Sequence, residues 1–326
     1  RNNDMAPQTL PQFTFDDHPL DMSPAGIGAL RNSIDAIDDR CELHRRMARD
    51  GYLFLPGYLD REEVETARKS ALRRLAAKGL FAEGSHFEEA RLKPDVRLRS
   101  SQDVPLGNAA IHKLLYSGRM MAFHEFFQGG PVRHFDYTWF RSKTPGEGMA
   151  TPPHCDIVYM SRGTKNLYTS WTPLDDIPYE MGGLLVLEGS HLQEDLKATY
   201  GQTDVDLYCA NAGTASALVA AARAANRELT ATEKDAIQWT TTGPFCADPI
   251  EARQRLGGRW LTAEYRMGDL LVLTMYTMHA AHDNQTNRLR LSTDSRYQLA
   301  SEPIDQRWIG DNPPGNDIRQ KIGMIC

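Results

Sequence analysis

The chain has 326 residues, of which 41% are hydrophobic and 25% charged, and its formal net charge is −6. This composition is typical of a globular enzyme, and the mild acidic balance argues against a nucleic-acid or anionic-membrane partner, because both favour basic stripes. No run approaches the ~18 apolar residues that a membrane-spanning helix needs. The five cysteines are widely spaced and form no CxxC pair, which argues against a disulfide framework or a zinc site and favours a cytoplasmic setting.

The first predicted elements are an extended arm and two helices on either side of a strand. Residues 1–37 are rich in Pro, Asp and Ser without periodicity, which predicts an arm that lies over the domain or is partly disordered, without a chemical role. A helix is predicted from Asp38 to Asp50, and the apolar run 51–57 predicts a strand. Asp60 is then predicted to cap a charged helix that ends near Lys78.

From Val132 onward, short segments rich in Tyr, Trp, Thr and Val alternate with turn signals, which predicts antiparallel β-sheet. The predicted strands are Val132–Ser142, Cys155–Met160, Asn166–Leu174, Gly183–Leu187, Asp269–Met275 and Leu289–Leu299. An interruption at about 193–259 has an Ala-rich middle, 213–237, that predicts helix with Thr230 or Thr232 as its N-cap. An insertion of this size is typical of a lid or a subunit contact. We therefore predict a single domain over 38–326 with a helical insertion.

Two histidines and one aspartate carry the predicted chemistry. In a strand, residues i and i+2 point to one face, so His154 and Asp156 are predicted to project together. His279 follows the predicted strand at 268–273 and brings a third ligand from a distant segment. Two imidazoles and one carboxylate are the ligand set of a non-haem Fe(II) site, and they leave three coordination positions for a bidentate cosubstrate and O2. His154, Asp156 and His279 are therefore the predicted metal ligands and catalytic residues.

A second pair of residues predicts the cosubstrate. Arg290 and Ser292 share one strand face, so a guanidinium fork and a hydroxyl can together hold the far carboxylate of a dicarboxylic acid, as 2-oxoglutarate requires. Each prediction has a rival nearby. His282 competes with His279 but would point differently, and Arg288 competes with Arg290 but lies nearer the turn after Asn287.

Taken in order, the motifs of this chain resemble the phytanoyl-CoA dioxygenase family over roughly residues 38–300. They are Asp50-Gly51-Tyr52 to Gly57, Lys143-Thr144-Pro145-Gly146, His154-Cys155-Asp156, Trp171, 183–191, Gly268-Asp269-Leu270, His279 with Asn284, and Arg290-Leu291-Ser292. The resemblance implies a double-stranded β-helix, that is a cupin-like jelly-roll core, within a mainly β fold with flanking helices. It also implies iron at His154, Asp156 and His279, and 2-oxoglutarate at Arg290. Trp171 and Trp139 match positions that line the cosubstrate pocket, and the eleven-residue interval from His279 to Arg290 favours His279 over His282.

The activity that the resemblance implies is that of an Fe(II)- and 2-oxoglutarate-dependent dioxygenase. Such an enzyme uses O2, releases succinate and CO2, and hydroxylates or otherwise oxidises a small organic metabolite. Halogenation is disfavoured, because a halide would need the coordination position that Asp156 takes. Two alternatives remain at this point: a cupin-like enzyme that uses another divalent metal without 2-oxoglutarate, and a catalytically silent small-molecule-binding relative. The aromatic segment 135–140 and the insertion leave the substrate open, and a homo-oligomer is compatible with the sequence.

Overall fold

The computed structural model describes residues 10–98, 101–146, 148–206, 212–236 and 243–316. Its strands are β1 (Thr14–Phe15), β2 (His18–Pro19), β3 (Ile27–Ala29), β4 (Tyr52–Leu55), β5 (Val132–His134), β6 (Trp139–Lys143), β7 (Thr151–His154), β8 (Tyr168–Pro173), β9 (Leu184–Leu187), β10 (Trp260–Thr262), β11 (Leu270–Thr274), β12 (His279–Ala281) and β13 (Arg290–Leu299). Its α-helices are α1 (Arg40–Asp50), α2 (Arg61–Ala77), α3 (Ala109–Tyr116), α4 (Gly118–Gln128), α5 (Glu194–Ala198), α6 (Ala212–Ala224), α7 (Ala231–Asp235) and α8 (Pro249–Leu256).

Two sheets form the core of the molecule. One has the strand order β3-β10-β9-β12-β7, and the other has the order β4-β11-β8-β13-β5, with β6 also paired to β13. The β3–β10 pair is parallel, and the other pairs within these two sheets are antiparallel. The sheet order brings β7 beside β12, so two segments that are far apart in the chain become neighbours.

Alternate residues of the strands face different hydrophobic layers. In β11, Leu271 and Leu273 pack in a cluster with Leu184 and Val186 of the opposite sheet, so this cluster lies between the sheets. Residues 270 and 272 pack instead in a second cluster with the residues of α2, α3 and α4. This alternation follows from the two-residue period of a strand. The predicted mainly β fold with flanking helices and a jelly-roll core is confirmed.

The first two predicted helices are confirmed together with the strand between them. The Asp60 side chain accepts a hydrogen bond from the Glu63 backbone N–H and so caps α2 as expected. Helix α1 ends at Gly51, whose φ of 77° lies in the left-handed region. A Cβ at that position would lie 2.5 Å from the ring of His191, which is packed against the turn with its Nε2 2.9 Å from the Ala48 carbonyl oxygen. His191 therefore has a structural role.

Two of the predicted strands are wrong. The segment 132–142 forms two strands, β5 and β6, and the chain between them leaves the ladder. The predicted strand Cys155–Met160 is a 3-10 turn at Asp156–Val158, closed by a hydrogen bond from the Tyr159 N–H to the Asp156 carbonyl oxygen. Its apolar residues are buried, and a short buried apolar run has the same composition in a strand and in a turn. Helices α3 and α4 and the short strands β10 and β12 were not predicted.

The arm and the insertion both contact the sheets. Strand β3 extends one sheet, and the buried Asp283 carboxylate accepts hydrogen bonds from the Thr14 hydroxyl and from two backbone N–H groups of the arm. In the insertion, α6 and α7 occupy the Ala-rich region, and Thr230 caps α7 in a capping box. Residues 237–242 of the insertion lie outside the described part of the chain. None of the described helices has the length and apolar character that crossing a membrane requires.

Buried His124 of α4 makes the stability of the fold depend on pH. Its Nε2 lies 2.8 Å from the Ser170 hydroxyl, its ring stacks on Tyr297, and burial lowers its pKa to about 3. The folded pKa is below the ordinary 6.5, so the stabilisation is complete above pH 6.5 and is lost as the pH falls towards 3. When the pH falls from 7 to 5, the titration of His124 should therefore lower the free energy of unfolding by about 2 kcal/mol.

His124→Gln tests this, because glutamine can still pair with Ser170 but does not titrate. Chemical denaturation of the metal-free protein gives the free energy of unfolding at pH 7 and at pH 5. Its decrease between the two pH values should be smaller by about 2 kcal/mol in His124→Gln than in wild type. His18→Gln, at an exposed histidine, is the control and should keep the wild-type drop. Equal drops in wild type and His124→Gln would contradict the assignment.

Candidate metal centre

Three ligand atoms converge at the point where β7 ends and β12 begins. His154 and His279 face each other as cross-strand partners. Asp156 Oδ1 lies 3.9 Å from His154 Nε2 and 3.8 Å from His279 Nε2. One donor atom from each of these buried residues lies within 4.8 Å of the others, a spacing at which a single ion can contact all three.

Backbone carbonyl groups orient both imidazoles. His154 Nδ1 lies 2.8 Å from the Pro152 carbonyl oxygen, and His279 Nδ1 lies 3.0 Å from the Thr277 carbonyl oxygen. A carbonyl oxygen only accepts, so Nδ1 of each ring carries a proton, and Nε2 is the ring nitrogen that lies near Asp156 at the centre. Burial and the neighbouring His279 lower the pKa of His154 to about 3. His154 is therefore a neutral ligand at neutral pH.

The carboxylate of Asp156 is held from its outer side. Its Oδ2 accepts hydrogen bonds from Arg296 Nη2 at 2.9 Å and from the Thr169 hydroxyl at 2.5 Å. Burial alone would raise the pKa of Asp156, but Arg296 and the two histidines outweigh it and hold the pKa well below its usual range. Oδ1 is thus left as the ionised oxygen that faces the two Nε2 atoms. Asp156 reaches this position from the 3-10 turn rather than from a strand shared with His154.

The other nearby candidates lie outside this group. His282 is buried and stacks on Phe13 with the ring centroids 4.2 Å apart, and it is absent from the convergent set. The thiol of Cys155 points to the Tyr276 carbonyl oxygen at 3.4 Å, and burial raises its pKa well above the ordinary value. His279 thus occupies the third position next to His154 and Asp156.

A small cavity of about 130 Å³, which we call the inner cavity, lies beside the metal ligands. It is lined by Arg141, Ser142, Lys143, Met149, Thr151, His154, Trp171, Leu184, His279, Ala281, Arg290 and Asp294. Arg290 is 3% exposed and donates to the Gly182 carbonyl oxygen and to the Ser292 hydroxyl. It forms no ion pair with any carboxylate in the described ranges. Burial, which disfavours its charge, lowers its pKa to about 10, so Arg290 stays cationic at neutral pH.

A larger cavity of about 630 Å³, which we call the outer cavity, also borders the metal ligands, at His154 and Asp156. It is lined by Gln102, Tyr137, Trp139, Arg141, Thr151, Pro152, His154, Asp156, Tyr159, Met160, Pro244, Arg296, Trp308 and 312–316. The two tryptophans that were predicted to line the cosubstrate pocket lie in different cavities. Trp171 lines the inner cavity near Arg290, whereas Trp139 lines the outer cavity with the Arg296 guanidinium stacked 3.9 Å above its ring.

The C-terminal segment 308–316, which the sequence reasoning did not single out, forms one wall of the outer cavity. Arg307 anchors it through ion pairs with Asp305 at 2.5 Å and Asp206 at 2.6 Å. Asn316 also donates to Asp206, which belongs to the insertion. The segment and the insertion are therefore fastened to each other at the cavity.

Arg141 and Arg296 are polar residues of the site that the sequence analysis did not single out. Arg296 lies on the same face of β13 as Arg290 and Ser292, so the two-residue alternation already placed it beside the site. Arg141 is the cross-strand partner of Ser292. That relation depends on the register between β6 and β13, and no local pattern in the sequence contains it.

Comparison with known proteins gives a family match and two curated relatives. The model of the family described as "Phytanoyl-CoA dioxygenase (PhyH)" matches residues 47–292. The 1-deoxypentalenic acid 11-beta-hydroxylase of Streptomyces exfoliatus is 31% identical over 166 residues, and that of Streptomyces arenae is 28% identical over 162 residues. Each match spans 48% of this chain and 56% of the relative, so the chain covers only about half the length of these relatives.

Solved structures give a similarity over most of the chain. The epimerase SnoN in complex with Fe3+, alpha ketoglutarate and nogalamycin RO is 25% identical with a TM-score of 0.53, and the match covers 86% of this chain and 94% of SnoN. EctD from S. alaskensis is 16% identical with a TM-score of 0.55, and the match covers 95% of each chain. The similarity to EctD concerns the fold alone.

Proposed function

The chain belongs to the phytanoyl-CoA dioxygenase family, and we propose that it is an Fe(II)- and 2-oxoglutarate-dependent oxygenase of a small organic metabolite. The observation that carries the proposal is the pairing of two sites. Two imidazoles and one ionised carboxylate converge on one point, and an arginine without a carboxylate partner among the described residues is buried in the cavity beside it.

The donor set fits the proposed metal. Two nitrogen ligands and one carboxylate oxygen match the preference of Fe(II), and a soft thiolate, which would favour zinc or copper, is turned away at Cys155. The donor geometry of the inner cavity also fits the proposed cosubstrate. Arg290 offers a buried cation, and the Ser292 hydroxyl beside it adds a second polar contact. We propose that these two residues hold the far carboxylate of 2-oxoglutarate and that Trp171 packs against its carbon chain.

Each residue of the site has a distinct part in the proposed mechanism. His154, Asp156 and His279 would hold the iron, while Thr169 and Arg296 keep Asp156 Oδ1 facing it. Arg290 and Ser292 would bind the far carboxylate of the cosubstrate and so orient it in the inner cavity. Bound iron, together with 2-oxoglutarate and O2, would supply the oxidising chemistry that releases succinate and CO2. The aromatic wall of the outer cavity, which includes Trp139, would exclude water and position a substrate C–H bond.

We propose hydroxylation as the outcome, since both curated relatives carry that name. We further propose that residues 38–326 act as one oxygenase domain and that the insertion at about 193–259 helps to close the outer cavity. Pro244 of the insertion lines that cavity, and the Phe245 N–H donates to the Pro153 carbonyl oxygen beside His154. A cytoplasmic setting without a nucleic-acid or membrane partner completes the proposal, in keeping with the net charge of −6 and the free described cysteines.

The direct test is binding and turnover of the cosubstrate. Fe(II) and 2-oxoglutarate added together under anaerobic conditions should give a visible absorption band that neither gives alone. Admission of O2 should then yield succinate and CO2, measured by mass spectrometry and with labelled 2-oxoglutarate. A protein that binds a divalent metal but neither binds nor converts 2-oxoglutarate would contradict the proposal and favour a cupin-like enzyme of another kind. A protein that binds neither would favour a silent relative.

A further inference from the structure

The charges that line the two cavities do not balance. The cationic side chains are Arg141, Lys143, Arg290 and Arg296, and the carboxylates are Asp156 and Asp294, which leaves two positive charges in excess. Iron as a dication and 2-oxoglutarate as a dianion would cancel each other, so the excess persists in the loaded site. A wall on which cationic side chains outnumber carboxylates attracts negative charge, and such a lining therefore favours an anionic ligand.

Arg141 is the cation with room for that ligand. It lines both cavities at their boundary and interacts electrostatically with Asp156 and His154. Its Nε donates to Asp294 at 2.9 Å, and its two terminal nitrogens have no partner among the described residues. The side chain of Arg141 is 41% exposed, and it is among the residues that line both cavities. Two free nitrogens on one guanidinium match the two oxygens of a carboxylate.

Arg296 adds positive charge to the outer cavity, but its guanidinium is covered by Trp139 and would not contact a ligand there. Its Nε and Nη1 are buried without a protein acceptor in the described part of the chain, and Trp139 covers its guanidinium. A ligand in the outer cavity therefore meets the field of Arg296 and the nitrogens of Arg141. The rest of the wall is apolar or aromatic, with Tyr159, Met160 and Trp308 among its residues.

We propose that the substrate is an organic acid with an apolar body, whose carboxylate binds Arg141 at the boundary of the two cavities. The proposal rests on the proposed function, since it assigns the inner cavity to 2-oxoglutarate and the outer cavity to the substrate. With the carboxylate at Arg141, the apolar body lies along the aromatic wall of the 630 Å³ cavity, a volume suited to a small metabolite. The reacting carbon then lies close to the acid group, because Arg141 is next to the metal ligands.

The test uses protein loaded with Mn(II) and saturating 2-oxoglutarate, so that Arg290 is occupied and no turnover takes place. The probes are cyclohexanecarboxylate, naphthoate and adamantanecarboxylate, each paired with its primary amide, and binding is measured by calorimetry. At least one acid should bind about tenfold or more tightly than its amide. Arg141→Gln should remove that preference, and Arg141→Lys should restore part of it because the charge returns.

The affinity for 2-oxoglutarate identifies which ligand Arg141 serves. It should change by less than about threefold in Arg141→Gln, and Arg266→Gln, at an exposed surface arginine, should leave both the acid and the 2-oxoglutarate affinities unchanged. Acids that bind no better than amides, or that do not bind, would overturn the substrate proposal while 2-oxoglutarate binding stands. A large loss of 2-oxoglutarate affinity in Arg141→Gln would reassign Arg141 to the cosubstrate. Failure of wild type to bind 2-oxoglutarate would instead refute the proposed function.

Discussion

Asp156→Ala should lower metal-dependent succinate formation by about a thousandfold or more, because loss of a ligand exceeds the roughly 10–100-fold cost of losing a residue that only supports one. The carboxylate is the single negative charge among the three convergent ligands, and its Oδ1 faces both Nε2 atoms. Its removal also leaves the buried Arg296 without its ion-pair partner. Metal affinity, measured by competition with a chelating dye, should fall together with turnover.

A second substitution separates ligation from folding. Asp156→Asn keeps an acceptor for Thr169 and Arg296 but removes the charge, so the variant should fold and should still be nearly inactive. Asp176→Asn, at a half-exposed aspartate paired with Arg61, controls for the loss of one surface charge and should retain full turnover. Undiminished succinate formation in folded Asp156→Ala would remove Asp156 from the metal centre.

Arg290→Gln should raise the KM for 2-oxoglutarate about a hundredfold, which corresponds to about 3 kcal/mol of charge-assisted hydrogen bonding. The effect is large because Arg290 is buried, cationic and without a carboxylate of its own in the described ranges. Metal affinity in the absence of 2-oxoglutarate should stay near the wild-type value, because Arg290 is not among the convergent ligands. Turnover at saturating 2-oxoglutarate should recover in part.

Arg288→Gln is the matched control, two residues earlier in the chain and only partly buried. It does not line the inner cavity, and its KM for 2-oxoglutarate should remain within about twofold of wild type. If Arg288→Gln raised KM and Arg290→Gln did not, the carboxylate anchor would have to be moved to Arg288.

The local patterns of the sequence predicted those parts of the molecule that local physics determines. The Asp60 cap, the extent of α2 and strand β13 follow from capping preference and from hydrophobic period, and all three are confirmed. The common face of Arg290 and Ser292 follows from the same period, and the structure gives a hydrogen bond between the two side chains. The choice of His279 over His282 depended mainly on the family resemblance, because no local rule connects either histidine with the distant His154.

Features that depend on strand register and on long-range packing could not be predicted from the sequence. The turn at Asp156–Val158 has the composition of a strand, and it is distinguished by backbone hydrogen bonds from Tyr159 and Met160 to the Asp156 carbonyl oxygen. The register between β6 and β13 places Arg141 at the site. The ion pairs of Arg307, which hold the C-terminal segment in place, position Trp308 there. Neither the register between β6 and β13 nor the ion pairs of the C-terminal segment can be inferred from the local patterns of one sequence.

Because His154 and His279 are paired across β7 and β12, the spacing of the metal ligands and the lining of the outer cavity depend on different parts of the chain. Backbone hydrogen bonds between the strands set the distance between the imidazoles, whereas part of the wall of the outer cavity comes from segments outside the ladder, at Pro244 and at 308–316. We expect exchange of those wall residues to leave the β7–β12 ladder intact. On the proposed function, selectivity could then be redesigned while the metal ligands stay in place, with the insertion and the C-terminal segment as the places to begin.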